Sequence, residues 1–147
     1  MYEKMLIAGW ADMDFNGHMR NTAYLDKAAD IRMMFFAAHG FPMNEFSRLQ
    51  IGPVGQKDEI VYYREVNLLD EIRVTLALAG LSQDGSRWVL RNEFFRPDSK
   101  LAASLTSAGG WLDLRARALI APPPNLFKTM QDAPRTPDFQ ALPTSIK

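Results

Sequence analysis

The sequence predicts a two-layer α+β domain in which one long helix packs against an antiparallel sheet. Residues 22–39 repeat apolar side chains at the spacing of one helix face, and four later segments alternate apolar and polar residues as strands do. Short turn sequences separate consecutive strands, which favours antiparallel neighbours. One early strand, one helix and then four strands give an α+β order.

The first strand and the helix flank a polar loop. Residues 5–10 are apolar and predict a short strand. Asn21 or Thr22 is suited to cap the helix, and Gly40 is suited to the left-handed position just after it. The predicted core face of the helix consists of Tyr24, Ala28, Ile31, Phe35 and Ala38. Residues 33–38 are apolar on every side, so we expect the second half of the helix to be surrounded.

After a Gly- and Pro-containing loop, the chain turns to strand patterns. The four predicted strands are residues 58–66, 71–79, 87–96 and 101–112. The second shows the clearest alternation, and Asp84-Gly85 after it is a hairpin turn sequence. Pro97 suits a type I turn before the last strand. We therefore expect consecutive strands to pair as an antiparallel meander.

The end of the chain is rich in proline. Residues 121–124 read Ala-Pro-Pro-Pro, which predicts neither a strand nor a helix there, and residues 125–131 predict one short helical turn. Three further prolines punctuate a polar tail, and we expect roughly the last 15 residues to be poorly ordered.

The composition favours one folded domain that acts on a small molecule. Of the 147 residues, 47% are apolar, enough for one core. Lys plus Arg and Asp plus Glu both number 17, which argues against a nucleic-acid or anionic-membrane partner. The chain has no cysteine, which excludes disulfides, thiolate metal sites and cysteine nucleophiles. No basic segment precedes an apolar N-terminal stretch, so we expect a cytoplasmic protein.

Polar side chains are densest in residues 12–24, between the first strand and the helix. Two aspartates, a histidine, two asparagines and a glycine lie there on a loop that leads into a helix start. Unpaired N–H groups at a helix start carry about half a positive charge and can polarise a carbonyl. A carboxylate on the same loop could then act on that carbonyl, so we interpret this stretch as the site.

The motif Asp12-x-Asp14-x-x-Gly17-His18-x-x-Asn21-x-x-Tyr24, followed by Asp30-x-Arg32, resembles the acyl-CoA thioesterases of the hotdog fold. The similarity is to the 4-hydroxybenzoyl-CoA thioesterase-like group and covers roughly residues 3–120. Members often carry Glu at the position of Asp30, and a small or polar residue at that of Arg20. The resemblance implies a long central helix wrapped by an antiparallel sheet of about five strands.

The resemblance also implies a function and a domain layout. The substrate would be an acyl-CoA, with no cofactor beyond the coenzyme A that the substrate carries. Asp14 would be the catalytic carboxylate, and the N–H that polarises the thioester would lie near Asn21. Residues 1–120 would form the hotdog domain, and residues 121–147 a partly ordered Pro-rich extension. A homodimer or homotetramer is expected, because these proteins generally complete their site between subunits and a small sheet leaves an open edge.

Each residue of the motif also has a structural interpretation. Asp14 either caps a turn or acts as general base or nucleophile, and Asp12 is more simply a turn or supporting residue. Gly17 fits a tight turn or allows substrate to approach the backbone. His18 braces the loop or touches substrate. The other proposed substrate contacts are Thr22, through its N–H, and Tyr24, through a hydroxyl at the pocket edge.

Several alternatives stay open. Residues 33–36 are core side chains or walls of an acyl pocket. No metal site is expected, since His18 and His39 are the only histidines and neither has a ligand-spaced partner. Asp14-x-Asn16-Gly17-His18 faintly resembles hotdog hydratases, and a non-catalytic acyl or aromatic ligand-binding protein is a further alternative. Candidate contacts for the coenzyme A phosphates are Arg64, Arg87, Arg91, Arg96 and Lys100.

Overall fold

One 18-residue helix lies on a long antiparallel sheet in the computed structural model, which describes residues 1–144. The strands are β1 (Tyr2–Ile7), β2 (Ile51–Tyr62), β3 (Glu71–Ser82), β4 (Arg87–Phe95), β5 (Leu101–Asp113), β6 (Ala118–Ile120) and β7 (Arg135–Leu142). The helices are α1 (Asn21–Ala38), α2 (Met43–Leu49) and α3 (Pro124–Gln131), with a short 3-10 turn at Trp10–Asp12. Among the described residues, no helix is both long and apolar enough to cross a membrane.

The five long strands follow the spatial order β1-β3-β4-β5-β2, and each pair of neighbours is antiparallel. The predicted α+β class is therefore confirmed, and β3, β4 and β5 form the expected hairpins. The expected meander is wrong for β2, which pairs with β5 instead of β3. β1 takes the place beside β3, so β2 ends the sheet as an edge strand.

The core lies between one face of α1 and the sheet. Tyr24, Ala28, Ile31 and Phe35 are buried, as the helical spacing predicts. The expectation that the second half of α1 is surrounded is wrong, because Met34 is 40% exposed and Ala38 is also exposed. The sheet covers only one side of the helix within this chain.

The segment between α1 and β3 is more regular than expected. Residues 43–49 form α2, and β2 begins at Ile51, not at residue 58. The glycines and Pro53 in this stretch suggested a loop, but an edge strand tolerates a proline that cannot donate a hydrogen bond. β2 contains a bulge between Gly55 and Lys57, and it ends at Tyr62 instead of residue 66.

Strand β1 also differs from its prediction, and the C-terminal segment is ordered. β1 ends at Ile7, and the 3-10 turn follows it. Helix α3 begins at Pro124 and buries Leu126 and Met130. The expected poor order of the tail is wrong for Arg135–Leu142, which pairs in parallel with β3. For residues 145–147 the same expectation lies outside the described part of the chain.

Candidate active site

Asp14 sits in a tight turn that fixes its carboxylate. Its Oδ1 accepts hydrogen bonds from the N–H of Asn16 at 2.8 Å and of His18 at 3.1 Å. The backbone closes the same turn, because Asp14 N donates to His18 O at 2.7 Å and Gly17 N donates to Asp14 O at 3.1 Å. Gly17 has a φ of 75°, a conformation that costs a glycine little. Oδ2 of Asp14 is left without a hydrogen-bond partner in residues 1–144.

Asp12 supports this loop. Its Oδ2 lies 2.9 Å from Nζ of Lys27 and accepts the N–H of Gly9 at 2.8 Å. Burial raises the pKa of Asp12, but the hydrogen bonds from Lys27 and Gly9 and the positive charges of Lys27 and Arg20 outweigh it, so the pKa is held below its usual value. These contacts give Asp12 a structural role, which differs from the role proposed for Asp14.

The start of α1 offers a free backbone donor within residues 1–144. Arg20 occupies the N-cap position without a side-chain cap, so the expected cap by Asn21 or Thr22 is wrong. Asn21 is the first helical residue, and its Oδ1 accepts the N–H of Thr22 at 3.0 Å. The N–H of Asn21 itself donates to no acceptor within residues 1–144. It is therefore a free donor at a helix start, where positive partial charge accumulates.

A pocket of about 370 Å³ brings these groups together. Of the predicted site residues, Asp14, His18, Asn21 and Tyr24 line it, whereas Gly17 and Thr22 are not part of its lining. The remaining lining residues are Met19, Tyr62, Tyr63, Arg64 and Glu65. Thr22 instead accepts a hydrogen bond from Nε of Arg20 through its hydroxyl, at 3.0 Å.

Two tyrosines form one wall of the pocket. The ring of Tyr24 packs edge to face against those of Tyr62, at 5.4 Å, and Phe94, at 5.2 Å. The hydroxyl of Tyr62 donates to the carbonyl of Asn21 at 3.1 Å, which joins β2 to the start of α1. Burial, with smaller contributions from Tyr62, Asp14 and Glu65, raises the pKa of Tyr24 to about 12. Tyr24 therefore stays protonated and can donate a hydrogen bond.

Residues 62–65 were missed as site residues, apart from Arg64 as a candidate phosphate contact. They lie where the chain leaves β2, and the next residues pair with the site loop: Met19 N donates to Val66 O at 2.7 Å, and His18 bridges to Asn67. The only sequence signal was their place at the end of a predicted strand. These residues are so far from Asn21 along the chain that the sequence did not predict their contact with the start of α1.

Of the two alternatives for residues 33–36, a wall of the acyl pocket is wrong for the pocket that holds Asp14, and the core is confirmed for Phe35 and Phe36. Met33 and Met34 line a separate hollow of about 530 Å³ with Pro42 and Met43. Phe35 and Phe36 are buried in the core. The physical reason is distance, since twelve residues of helix put Met33 roughly 18 Å along the axis from Asn21.

Of the basic candidates for coenzyme A, Arg64 alone lines this pocket among the residues that the structure covers. Arg91 pairs with Asp138 at 2.7 Å, and Arg96 pairs with Asp98 at 2.8 Å. Within residues 1–144, no three acidic or histidine side chains lie close enough together to hold a metal ion.

A long helix set against this sheet order, with a polar pocket at the helix start, defines the hotdog class of α+β proteins. Residues 8–140 match the family model described as the thioesterase-like superfamily. The match covers most of the chain, so the protein belongs to this superfamily and is classed as a thioester hydrolase. A search of curated protein sequences finds no match.

Solved structures with low sequence identity share the fold. A hypothetical protein from Staphylococcus aureus in complex with CoA aligns with a TM-score of 0.81 and 20% identity, over 91% of this chain and 86% of that one. A gentisyl-coenzyme A thioesterase aligns with a TM-score of 0.78 and 16% identity, over 88% and 99%. A 1,4-dihydroxy-2-naphthoyl-CoA thioesterase from Synechocystis aligns with a TM-score of 0.76 and 15% identity, over 89% and 94%.

Proposed function

We propose that this protein hydrolyses an acyl-CoA thioester to a free acid and CoA, with Asp14 as the catalytic carboxylate. The observation that carries the proposal is the meeting of two reactive groups in one pocket. The carboxylate of Asp14 is held by two N–H groups, and Asn21, whose own N–H is unpaired among the described residues, lines the same pocket. A thioester needs both an attacking group and a donor for its oxygen.

Each group has a defined part in the proposed reaction. The N–H of Asn21 donates to the thioester oxygen and stabilises the negative charge that develops there, an effect worth ~10²–10³-fold in rate for one donor. Asp14 either removes a proton from water or attacks the carbonyl carbon directly, forming a mixed anhydride that water opens. His18 and Tyr24 contact the substrate from the pocket lining. The proposed reaction uses protein groups and water, without a metal or a separate cofactor.

Coenzyme A is the proposed carrier of the acyl group. The S. aureus neighbour was solved in complex with CoA, and two other neighbours are named as CoA thioesterases. Their names differ in the acyl group, and this chain is at most 20% identical to the three, so the acyl group stays open. The proposed location is the cytoplasm.

We further propose a homodimer or homotetramer. β2 pairs with β5 on one side, and it stands at the end of the sheet order. At and just beyond its C-terminal end, Val61, Tyr62 and Tyr63 are 47%, 48% and 54% exposed. An unpaired edge with large apolar side chains is a surface that a second copy can cover.

A panel of acyl-CoAs tests the function, with free thiol release and enoyl-CoA absorbance recorded in parallel. Thiol release from at least one saturated or aromatic acyl-CoA, above the rate without protein, is the expected result. Loss of enoyl absorbance without thiol release would identify a hydratase instead. Binding of acyl-CoA with neither signal would favour the non-catalytic alternative.

A further inference from the structure

A second carboxylate shares the pocket of Asp14. Glu65 lines the same cavity, on the segment that hydrogen-bonds to the site loop through Met19 and Val66. Its backbone is fixed as well, because the carbonyl of Glu65 accepts a hydrogen bond from Arg96 at 3.3 Å. The carboxylate of Glu65 makes no hydrogen bond or salt bridge to another residue of 1–144.

The two carboxylates differ in what holds them. One oxygen of Asp14 accepts two N–H donors, which hold the group in one orientation. Glu65 is exposed, and its longer side chain is not tied down. The pKa of Tyr24 is raised mainly by burial, and the charges of Tyr62, Asp14 and Glu65 raise it further. The geometric observation is that Asp14, Glu65 and Tyr24 all line the same cavity.

We propose that Glu65 is the general base that activates water in the second half of the reaction, while Asp14 attacks the thioester. This assignment rests on the proposed thioesterase function and divides its chemistry between two side chains. A fixed carboxylate is suited to attack one carbon, whereas a mobile, solvated one can take a proton from water.

The steps balance without a further reactant. Oδ2 of Asp14 bonds to the thioester carbon, the carbon–sulfur bond breaks, and its electron pair leaves on the CoA sulfur. A water then loses a proton to Glu65 as its oxygen bonds to the acyl carbon of the anhydride. The bond between that carbon and Asp14 breaks, and its electron pair returns to the Asp14 carboxylate. The proton on Glu65 passes to the CoA thiolate, which regenerates both carboxylates.

Glu65→Gln separates the two steps. We expect its steady-state turnover to fall ~100-fold or more, the usual effect of losing a general base. Its first turnover should still release about one CoA per active site in a rapid burst, since Asp14 is intact. Hydroxylamine added to the quenched protein should convert the trapped acyl group at Asp14 to a hydroxamate, which mass spectrometry detects. Glu65→Asp, which keeps a carboxylate, should recover part of the turnover.

Two variants serve as comparisons. Glu71→Gln makes the same chemical change at an exposed glutamate at the start of β3, outside the pocket, and should match the parent in burst and turnover. Asp14→Asn should show neither burst nor turnover. Thermal melting of each variant checks that it is folded, and the exposure of Glu65 leads us to expect a normal melt for Glu65→Gln.

The outcomes distinguish this proposal from the function on which it rests. If the parent releases no thiol from any acyl-CoA, the thioesterase function fails and the role of Glu65 falls with it. If the parent turns over and Glu65→Gln stays within about threefold of it, the role of Glu65 alone is wrong. Loss of the burst together with turnover in Glu65→Gln also overturns the proposal, because Glu65 then acts before the thioester breaks.

Discussion

Lys27 on α1 holds Asp12 on the site loop, with Nζ 2.9 Å from Oδ2, and the same Nζ donates to the carbonyl of Ile7 at 2.9 Å. The side chains of Lys27 and Asp12 are only 11% and 19% exposed. One ammonium group therefore joins β1, the site loop and α1. This contact anchors the chain two residues before Asp14, whereas the carboxylate of Asp14 is held by its own turn.

Removing the ammonium group should cost stability. Lys27→Met leaves the carboxylate of Asp12 largely buried and without its ion pair, so we expect the free energy of unfolding in urea to fall by about 3 kcal/mol. Lys128→Met is the matched control, because its pair with Asp132 is 75% and 64% exposed and should contribute less than about 1 kcal/mol. An equal fall in the free energy of unfolding in the two variants would show that the buried pair stabilises the fold no more than the exposed pair does.

The same pair predicts a pH dependence of stability. The pKa of Asp12 is lower in the folded protein than in the unfolded chain. As the pH falls, the unfolded chain therefore takes up the proton first. The contribution of Asp12 to the free energy of unfolding is full above its pKa in the unfolded chain, about 4, and is lost as the pH falls through its pKa in the folded protein. Urea unfolding of the parent and of Asp12→Asn between neutral and acidic pH should show a smaller loss on acidification in the variant. Parallel curves would contradict this.

Asp14→Asn should abolish hydrolysis and leave the fold intact. The amide keeps an oxygen to accept the N–H groups of Asn16 and His18, so the melting temperature should change little. It removes the basic or nucleophilic oxygen, which typically costs ~10²–10⁴-fold in rate. Asp12→Asn should show the reverse, with lower stability and most of the specific activity kept. A normally melting Asp14→Asn protein within about threefold of the parent rate would refute the assignment.

Tyr24→Phe tests a hydrogen-bond donor. With its pKa raised to about 12, mainly by burial, Tyr24 stays protonated under assay conditions and cannot serve as a base. We expect kcat/KM to fall about 5- to 10-fold, the effect of one lost hydrogen bond, and the pH–rate profile to keep its shape. Disappearance of one limb of that profile in the variant would show instead that Tyr24 titrates during catalysis.

The free edge of β2 predicts association. Light scattering or sedimentation at micromolar concentration should give at least twice the chain mass of 16.6 kDa. The reason is that an unpaired strand edge with exposed Val61 and Tyr63 is covered at low energetic cost by a second copy. A species of 16.6 kDa alone would contradict the prediction.

Local patterns in the sequence were enough to predict α1 and the strands β3, β4 and β5. The alternation of Ile72, Val74 and Leu76 predicted β3 from its first residue, and the helical spacing predicted α1 to within a residue at each end. The turn around Asp14 is local in the same way, because its side-chain hydrogen bonds run to residues two and four positions away. Such patterns show which side of one helix or strand is buried, because residues close in sequence alternate between its buried and exposed sides.

The tertiary structure alone decided which distant segments meet. Nothing in residues 51–62 specifies β5 as the neighbour of β2, and nothing near Asn21 specifies Tyr62, which is 41 positions away and donates to its carbonyl. The pairing of β7 with β3 and the presence of Glu65 in the pocket of Asp14 are also contacts between distant segments. Strand order and pocket lining follow from the burial and hydrogen bonding of the whole chain together, which the periodicity of any one segment does not encode.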